Sequence, residues 1–155
     1  MKKSNPTISI VFTKQQFFTV MKAVFLGNWM ANGYRVDDLR KDYEHIEDYI
    51  FSLAPKFGLD KFMDHEKFDG DRYYPARVFE ENTDVHRMHE AYDEESMWDK
   101  LAEGLGERDF FEKYTEAEIK HMSRDERFTK RTECIVIYEI EFEKYGLRRI
   151  RIRKK

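Results

Sequence analysis

The sequence predicts an α+β fold in which a small antiparallel sheet packs on a layer of five or six helices. Three observations lead to this prediction: a strongly apolar helix near the N terminus, a strand-like alternation just before it, and a longer alternation near the C terminus. The chain has 155 residues, and single domains cluster at roughly 100–150 residues. We therefore expect residues 1–155 to form a single globular domain.

The stretch from Thr13 to Tyr34 predicts the central helix. Eleven of the fifteen residues from Phe17 to Ala31 are apolar, so a helix there has only a narrow polar strip. Such a helix is either buried or spans a membrane, and this run is too short to span a bilayer. Thr13 is suited to capping its start and Gly33 to closing its end. We expect a buried helix over residues 14–32.

The two ends of the chain predict the sheet. Residues 8–12 alternate with a period of two, as in a strand with one apolar face. The segment 133–143 alternates in the same way, and residues 147–153 continue the pattern after a turn that ends at Gly146. In this hairpin Glu141 faces Arg149 and Glu139 faces Arg151. We expect the N-terminal strand and the C-terminal hairpin to form one sheet.

The middle of the chain predicts helices separated by one irregular segment. A one-sided amphipathic pattern predicts a second helix that starts at Asp37 and stops near Ala54, before Pro55. Further helices are expected over residues 84–92 and from Asp93 onward, and two capping motifs begin at Thr115 and Ser123. Residues 58–82 carry turn signals, with a short helix expected near 60–66. A long loop of this kind can act as a lid over a pocket.

One helix face offers candidate metal ligands. His86, His89 and Asp93 recur at helical spacing, and two imidazoles with a carboxylate can bind zinc or a similar ion. A metal site normally needs a ligand from another element, and Asp93 is also suited to capping a helix. These three residues are therefore weak metal candidates, and the sequence identifies neither a catalytic residue nor a cofactor.

The charges are distributed unevenly along the chain. Residues 1–36 carry five bases and no acids, and residues 120–155 carry twelve bases and six acids. The basic C terminus suggests contact with nucleic acid. Pairing of its arginines with glutamates in the expected hairpin argues against that interpretation, so we keep nucleic-acid binding only as an alternative. Opposite charges on different segments also allow two copies to pair.

These observations favour a non-enzymatic interaction or regulatory protein that self-associates. Two alternatives stay open: a metal-dependent enzyme near His86 and His89, with the 58–82 loop as its lid, and a nucleic-acid binder that uses residues 144–155. No segment predicts a secretory signal or a membrane span. The single cysteine, Cys134, allows no internal disulfide and is consistent with a cytoplasmic protein.

Overall fold

The structure, a computed structural model, describes residues 8–68 and 70–151. Within them the chain is mostly helical, with one small sheet, so the mixed α and β content that the sequence predicted is confirmed. The elements in chain order are α1 (Lys14–Asn32), α2 (Lys41–Ser52), β1 (Met63–Glu66), β2 (Arg72–Pro75), α3 (Arg77–Asn82), α4 (Val85–Lys113), α5 (Glu116–His121) and α6 (Arg124–Tyr145). Short 3-10 turns lie at Ala54–Phe57, Asp60–Phe62 and Gly146–Arg149.

The chain divides into two compact units, Met1–His89 and Glu90–Lys155. Helix α4 begins in the first unit and continues in the second. This division does not test whether residues 1–155 form a single domain, so that statement stays a prediction.

Helix α1 has the bounds that the sequence predicts. The Thr13 hydroxyl accepts a hydrogen bond from the Gln16 amide, and the Gln16 side chain accepts one from the Thr13 amide. This reciprocal capping box satisfies two amides that the first turn leaves free. Burial is less complete than predicted, because only Phe17 and Met21 of this helix are fully buried.

The core of the first unit is centred on Phe79, which is fully buried. Its ring lies edge-on to the rings of Phe51 and Phe25, at centroid distances of 5.2 and 5.5 Å. Such edge-to-face pairs add to the stability that burial alone supplies. The other buried members of this cluster are Phe17, Met21, Phe51, Ala54, Leu59 and Val85.

The sheet lies in the middle of the chain, and the predicted arrangement of its strands is wrong. Strands β1 and β2 pair antiparallel, with His65 opposite Tyr73 and their rings stacked 4.1 Å apart. A helix was expected near residues 60–66, but only the turn Asp60–Phe62 is helical there. The loop that was expected over residues 58–82 contains both strands and α3.

The predicted C-terminal hairpin is wrong: its first strand, 133–143, lies inside helix α6, and its second begins in the 3-10 turn Gly146–Arg149. The Ser123 hydroxyl caps this helix by accepting from the Glu126 amide at 3.1 Å. Residues 8–12 form no strand, and the segment expected to pair with them is helical and offers no strand edge. Parts of these predictions that fall on residue 69 and on residues 152–155 lie outside the described residues.

In the second unit α4 and α6 run antiparallel. Trp98 of α4 packs on Phe142 of α6 with ring centroids 5.3 Å apart, and further along Glu107 pairs with Arg131. Gly106 permits a close approach, because a Cβ atom there would lie 2.6 Å from the Ile135 Cα atom. Helix α4 is continuous, so the predicted break at Asp93 is wrong. The capping box at Thr115 is confirmed as the start of α5.

Candidate functional site

The polar centre of the first unit is Glu47, which lies half-buried on α2. The Asn28 side-chain amide, on α1, donates a hydrogen bond of 2.7 Å to Glu47 Oε2. Burial raises the pKa of Glu47 from its ordinary value of 4.5 to about 7; the Asn28 hydrogen bond lowers it, while the neighbouring charge of Glu44 raises it further. A carboxyl group that exchanges its proton near neutral pH has the property that general acid–base catalysis requires.

Hydrogen bonds tie Glu47 to the ends of two helices. The Asn32 amide donates to Asn28 Oδ1 at 2.7 Å, and Asn32 Oδ1 accepts from the Arg40 backbone amide at 2.7 Å. Asn32 also donates to the Arg40 carbonyl at 3.2 Å. This side chain therefore holds the backbone at Arg40, immediately before α2. The predicted start of α2 at Asp37 is wrong, since the helix begins at Lys41. Asn32, rather than an aspartate, makes the side-chain hydrogen bonds to the backbone before it.

An acid–imidazole pair belongs to the same unit. His86 Nε2 lies 2.9 Å from Glu80 Oε2, and Glu80 is one of the charges that raise the pKa of Glu47. The His86 ring meets the Trp29 ring edge-on at 5.0 Å, while the His89 ring stacks on Trp29 at 3.9 Å. Both histidines of the predicted metal site therefore contact the same Trp29 ring.

The metal candidates share a helix without forming a visible ligand set. His86 and His89 lie at the Trp29 ring, and Asp93 lies inside α4 instead of capping a helix. Among the residues that the structure describes, no group of three or more His, Cys, Asp or Glu side chains is placed to hold a metal ion. The assignment of a metal to His86, His89 and Asp93 stays a prediction.

The basic C terminus uses part of its charge internally. Arg149 makes two contacts of 3.1 Å with Glu141, the partner that the sequence predicted, but across a helix end instead of a strand pair. Arg151 donates to the carbonyl oxygens of Arg148 and Ile150, at 2.7 and 2.8 Å, instead of pairing with Glu139.

Helix α6 also presents an apolar surface to solvent. Phe128, Ile137 and Ile140 are 70%, 66% and 59% exposed. Together with the partly exposed Thr132 and Val136, which lie between them in the sequence, these residues make up what we call the outer face of α6. The opposite side of the helix carries the buried Cys134 and Phe142.

Sequence reasoning identified the histidines and missed Glu47. The available signal was its position between Tyr43 and Ile50, at the edge of the apolar stripe of α2, together with Asn28 in an otherwise apolar α1. The sequence does not indicate that Asn28 and Glu47 are partners, because their hydrogen bond forms only when α1 packs on α2.

Comparisons with protein-family models, with curated proteins and with solved structures found nothing that matches this chain. None of the helices in the described part of the chain combines the length and apolar character needed to cross a membrane.

Proposed function

We propose that this protein is a non-enzymatic interaction protein that self-associates through the outer face of α6. The observation that carries the proposal is the exposure of Phe128, Ile137 and Ile140, which are 70%, 66% and 59% accessible. Contiguous exposed apolar patches of this kind mark interaction surfaces in soluble proteins.

The outer face has the dimensions of a helix-pairing surface. Phe128, Thr132, Val136 and Ile140 recur every four residues, so they form a row roughly 18 Å long at 1.5 Å per residue. A depression of about 390 Å³ lies along this row, lined by Phe128, Thr129, Thr132, Glu133 and Val136. Side chains of a facing helix can enter such a depression, as ridges enter grooves in packed helices.

Charge favours a second copy in the antiparallel orientation. The first part of α6, residues 124–132, carries four bases and two acids, whereas residues 133–145 carry four acids and one base. Antiparallel pairing brings the basic part of one helix against the acidic part of the other, and the opposed helix dipoles add to this preference. Such a pair is two-fold symmetric, so the same surface serves both copies.

The free energy gained by burying the outer face is comparable with the free energy that association costs. Burying an apolar side chain stabilises by about 1.5–3 kcal/mol. Three such side chains per copy, each already about one-third buried, contribute roughly 6–12 kcal/mol to a dimer in total. Association costs roughly 4–15 kcal/mol in lost freedom. The test must therefore extend to high protein concentration.

Sedimentation equilibrium from micromolar to near-millimolar protein, at low salt, tests the proposal. We expect a monomer–dimer equilibrium that Ile140→Lys weakens by about tenfold or more, because dimerisation would then bury two ammonium groups. Val36→Lys is the matched control, since Val36 is 83% exposed and lies in the first unit. A strict monomer throughout, or an Ile140→Lys protein that dimerises like the wild type, contradicts the proposal.

A second candidate is the enzyme alternative near His86 and His89. The observation that favours it is the Glu47 carboxyl, whose pKa of about 7 suits proton transfer beside the Glu80–His86 pair. Metal analysis of protein purified without a histidine tag tests the metal-dependent form. One equivalent of a transition metal supports it, and a sub-stoichiometric trace contradicts it.

A further inference from the structure

A groove of about 810 Å³ lies in the second unit, between α4 and the C-terminal end of α6. Its floor contains the rings of Trp98 and Phe142, 5.3 Å apart, and the buried Ala102. Small-molecule sites in proteins are concave, mostly apolar and about 300–1,000 Å³ in volume. The groove therefore has the size and the floor of a ligand site.

Carboxylates line both walls of this groove. Helix α4 contributes Glu94, Glu95 and Asp99, and α6 contributes Glu139 and Glu143. Within the described part of the chain, none of these five side chains forms an ion pair or a side-chain hydrogen bond. Contacts among the described residues therefore leave the negative charge of the walls without a paired cation.

The two basic residues that line the groove, Lys144 and Arg148, contact Tyr145, which also lines it. The Lys144 ammonium lies over the Tyr145 ring, 5.1 Å from its centroid, and Arg148 Nε donates to the Tyr145 carbonyl at 3.2 Å. Two bases against five acids leave the lining negative. A ligand that complements this lining must be cationic, and the aromatic floor requires that it also carry an apolar body.

The spacing of the carboxylates distinguishes between two kinds of cation. No three of the acidic, histidine or cysteine side chains in the described residues converge on one point where a metal ion would bind. The groove carboxylates are instead distributed over two helices. Ammonium groups joined by methylene segments can reach separate carboxylates, while the methylenes cover the rings of Trp98 and Phe142. An ammonium over an aromatic face gains a further cation–π attraction.

We propose that this groove binds a linear aliphatic polyamine, with its ammonium groups on the carboxylates of the two walls and its methylene chain on the aromatic floor. The proposal is independent of dimerisation through the outer face of α6.

Calorimetric titration of the full chain with spermidine at low salt tests this inference, with n-butylamine and Mg²⁺ as controls for a single charge and for a compact dication. We expect saturable one-to-one binding of spermidine, a change in tryptophan fluorescence that Trp98→Phe removes, and much weaker binding of both controls. The double variant Glu95→Gln/Asp99→Asn should weaken spermidine binding by about threefold to tenfold, because exposed ion pairs contribute up to about 1 kcal/mol each. Glu112→Gln, on the same helix outside the groove, should leave the affinity unchanged.

Three results would overturn the assignment. The first is an equal affinity for butylamine or Mg²⁺, which would indicate general attraction to negative charge. The second is an unchanged spermidine affinity in the double variant, whose exposed substitutions should not disturb folding; Glu139→Gln on the opposite wall gives an independent check. The third is a double variant that no longer dimerises, together with a wild-type dimer that does not bind spermidine. The groove would then be the binding surface for a second copy of the chain.

Discussion

Replacing Glu47 by glutamine should stabilise the protein at alkaline pH and leave it almost unchanged at acidic pH. The half-buried Glu47 carboxyl has its pKa raised to about 7 from an ordinary value of 4.5, chiefly by burial. The fold therefore prefers the neutral acid. Its contribution to stability is fully present below about pH 4.5, declines as the pH rises, and is lost once the pH has passed through about 7.

The size of the effect follows from this difference in pKa. One pKa unit corresponds to about 1.4 kcal/mol, so a shift from 4.5 to about 7 gives an upper value of about 3 kcal/mol. Partial access to water reduces it, and we expect roughly 1–3 kcal/mol. Glutamine carries no charge at any pH and still offers an oxygen to the Asn28 amide, which donates to Glu47 Oε2 at 2.7 Å. The variant therefore avoids the cost of burying a carboxylate.

Urea unfolding followed by circular dichroism between about pH 4 and pH 8 measures this difference. The free energy of unfolding of Glu47→Gln should exceed that of the wild type by an amount that grows with pH. Other titrating groups cancel in this subtraction because both proteins contain them. Glu66→Gln, an exposed substitution on β1, is the control and should show no such trend. A difference that stays constant with pH, or a variant that is less stable at pH 8, would refute the reasoning.

Three further predictions test the packing and capping contacts. Gly106→Ala places a Cβ atom 2.6 Å from the Ile135 Cα atom and should destabilise by about 1–3 kcal/mol, whereas Gly104→Ala meets nothing within 4 Å and should stabilise by about 0.5–1 kcal/mol; equal effects in urea unfolding would contradict this contact. Thr115→Ala removes a capping box and should cost about 1 kcal/mol that Thr115→Ser restores. Phe79→Ala should cost about 3–5 kcal/mol by the same measurement, and a loss below about 1 kcal/mol would show that this fully buried ring is not central to the core.

Local signals in the sequence identify the helices that begin with side-chain caps. Thr13, Thr115 and Ser123 each accept from an amide three residues later, so the residues that fix these starts are neighbours in the chain. The hairpin of β1 and β2 gives a weaker signal. Each strand has four residues and only two half-buried positions, which is too short for a period of two to be recognised.

The polar centre at Glu47 depends on contacts between residues far apart in sequence. Asn28 reaches Glu47 across nineteen residues, and the Lys22 ammonium reaches Asp84 at 2.9 Å across sixty-two. Periodicity places these side chains at the edges of helix faces, but it does not show which faces meet. The raised pKa of Glu47 follows from that packing and was therefore not predictable.

Residues 133–143 were predicted to be a strand but belong to α6, and the physical cause of this wrong prediction bears on the proposed function. Residues two apart on a helix point about 200° apart, so an alternating apolar pattern places its members on two opposite faces. Cys134 and Phe142 lie on the buried face, whereas Val136 and Ile140 belong to the outer face. A helix with this pattern has two apolar faces, and packing within its own chain covers only one of them. Ile137→Gln/Ile140→Gln, at two exposed positions of the outer face, should therefore abolish dimerisation in sedimentation while leaving the urea stability of the monomer nearly unchanged. A large loss of monomer stability would show that the outer face is already packed within the chain.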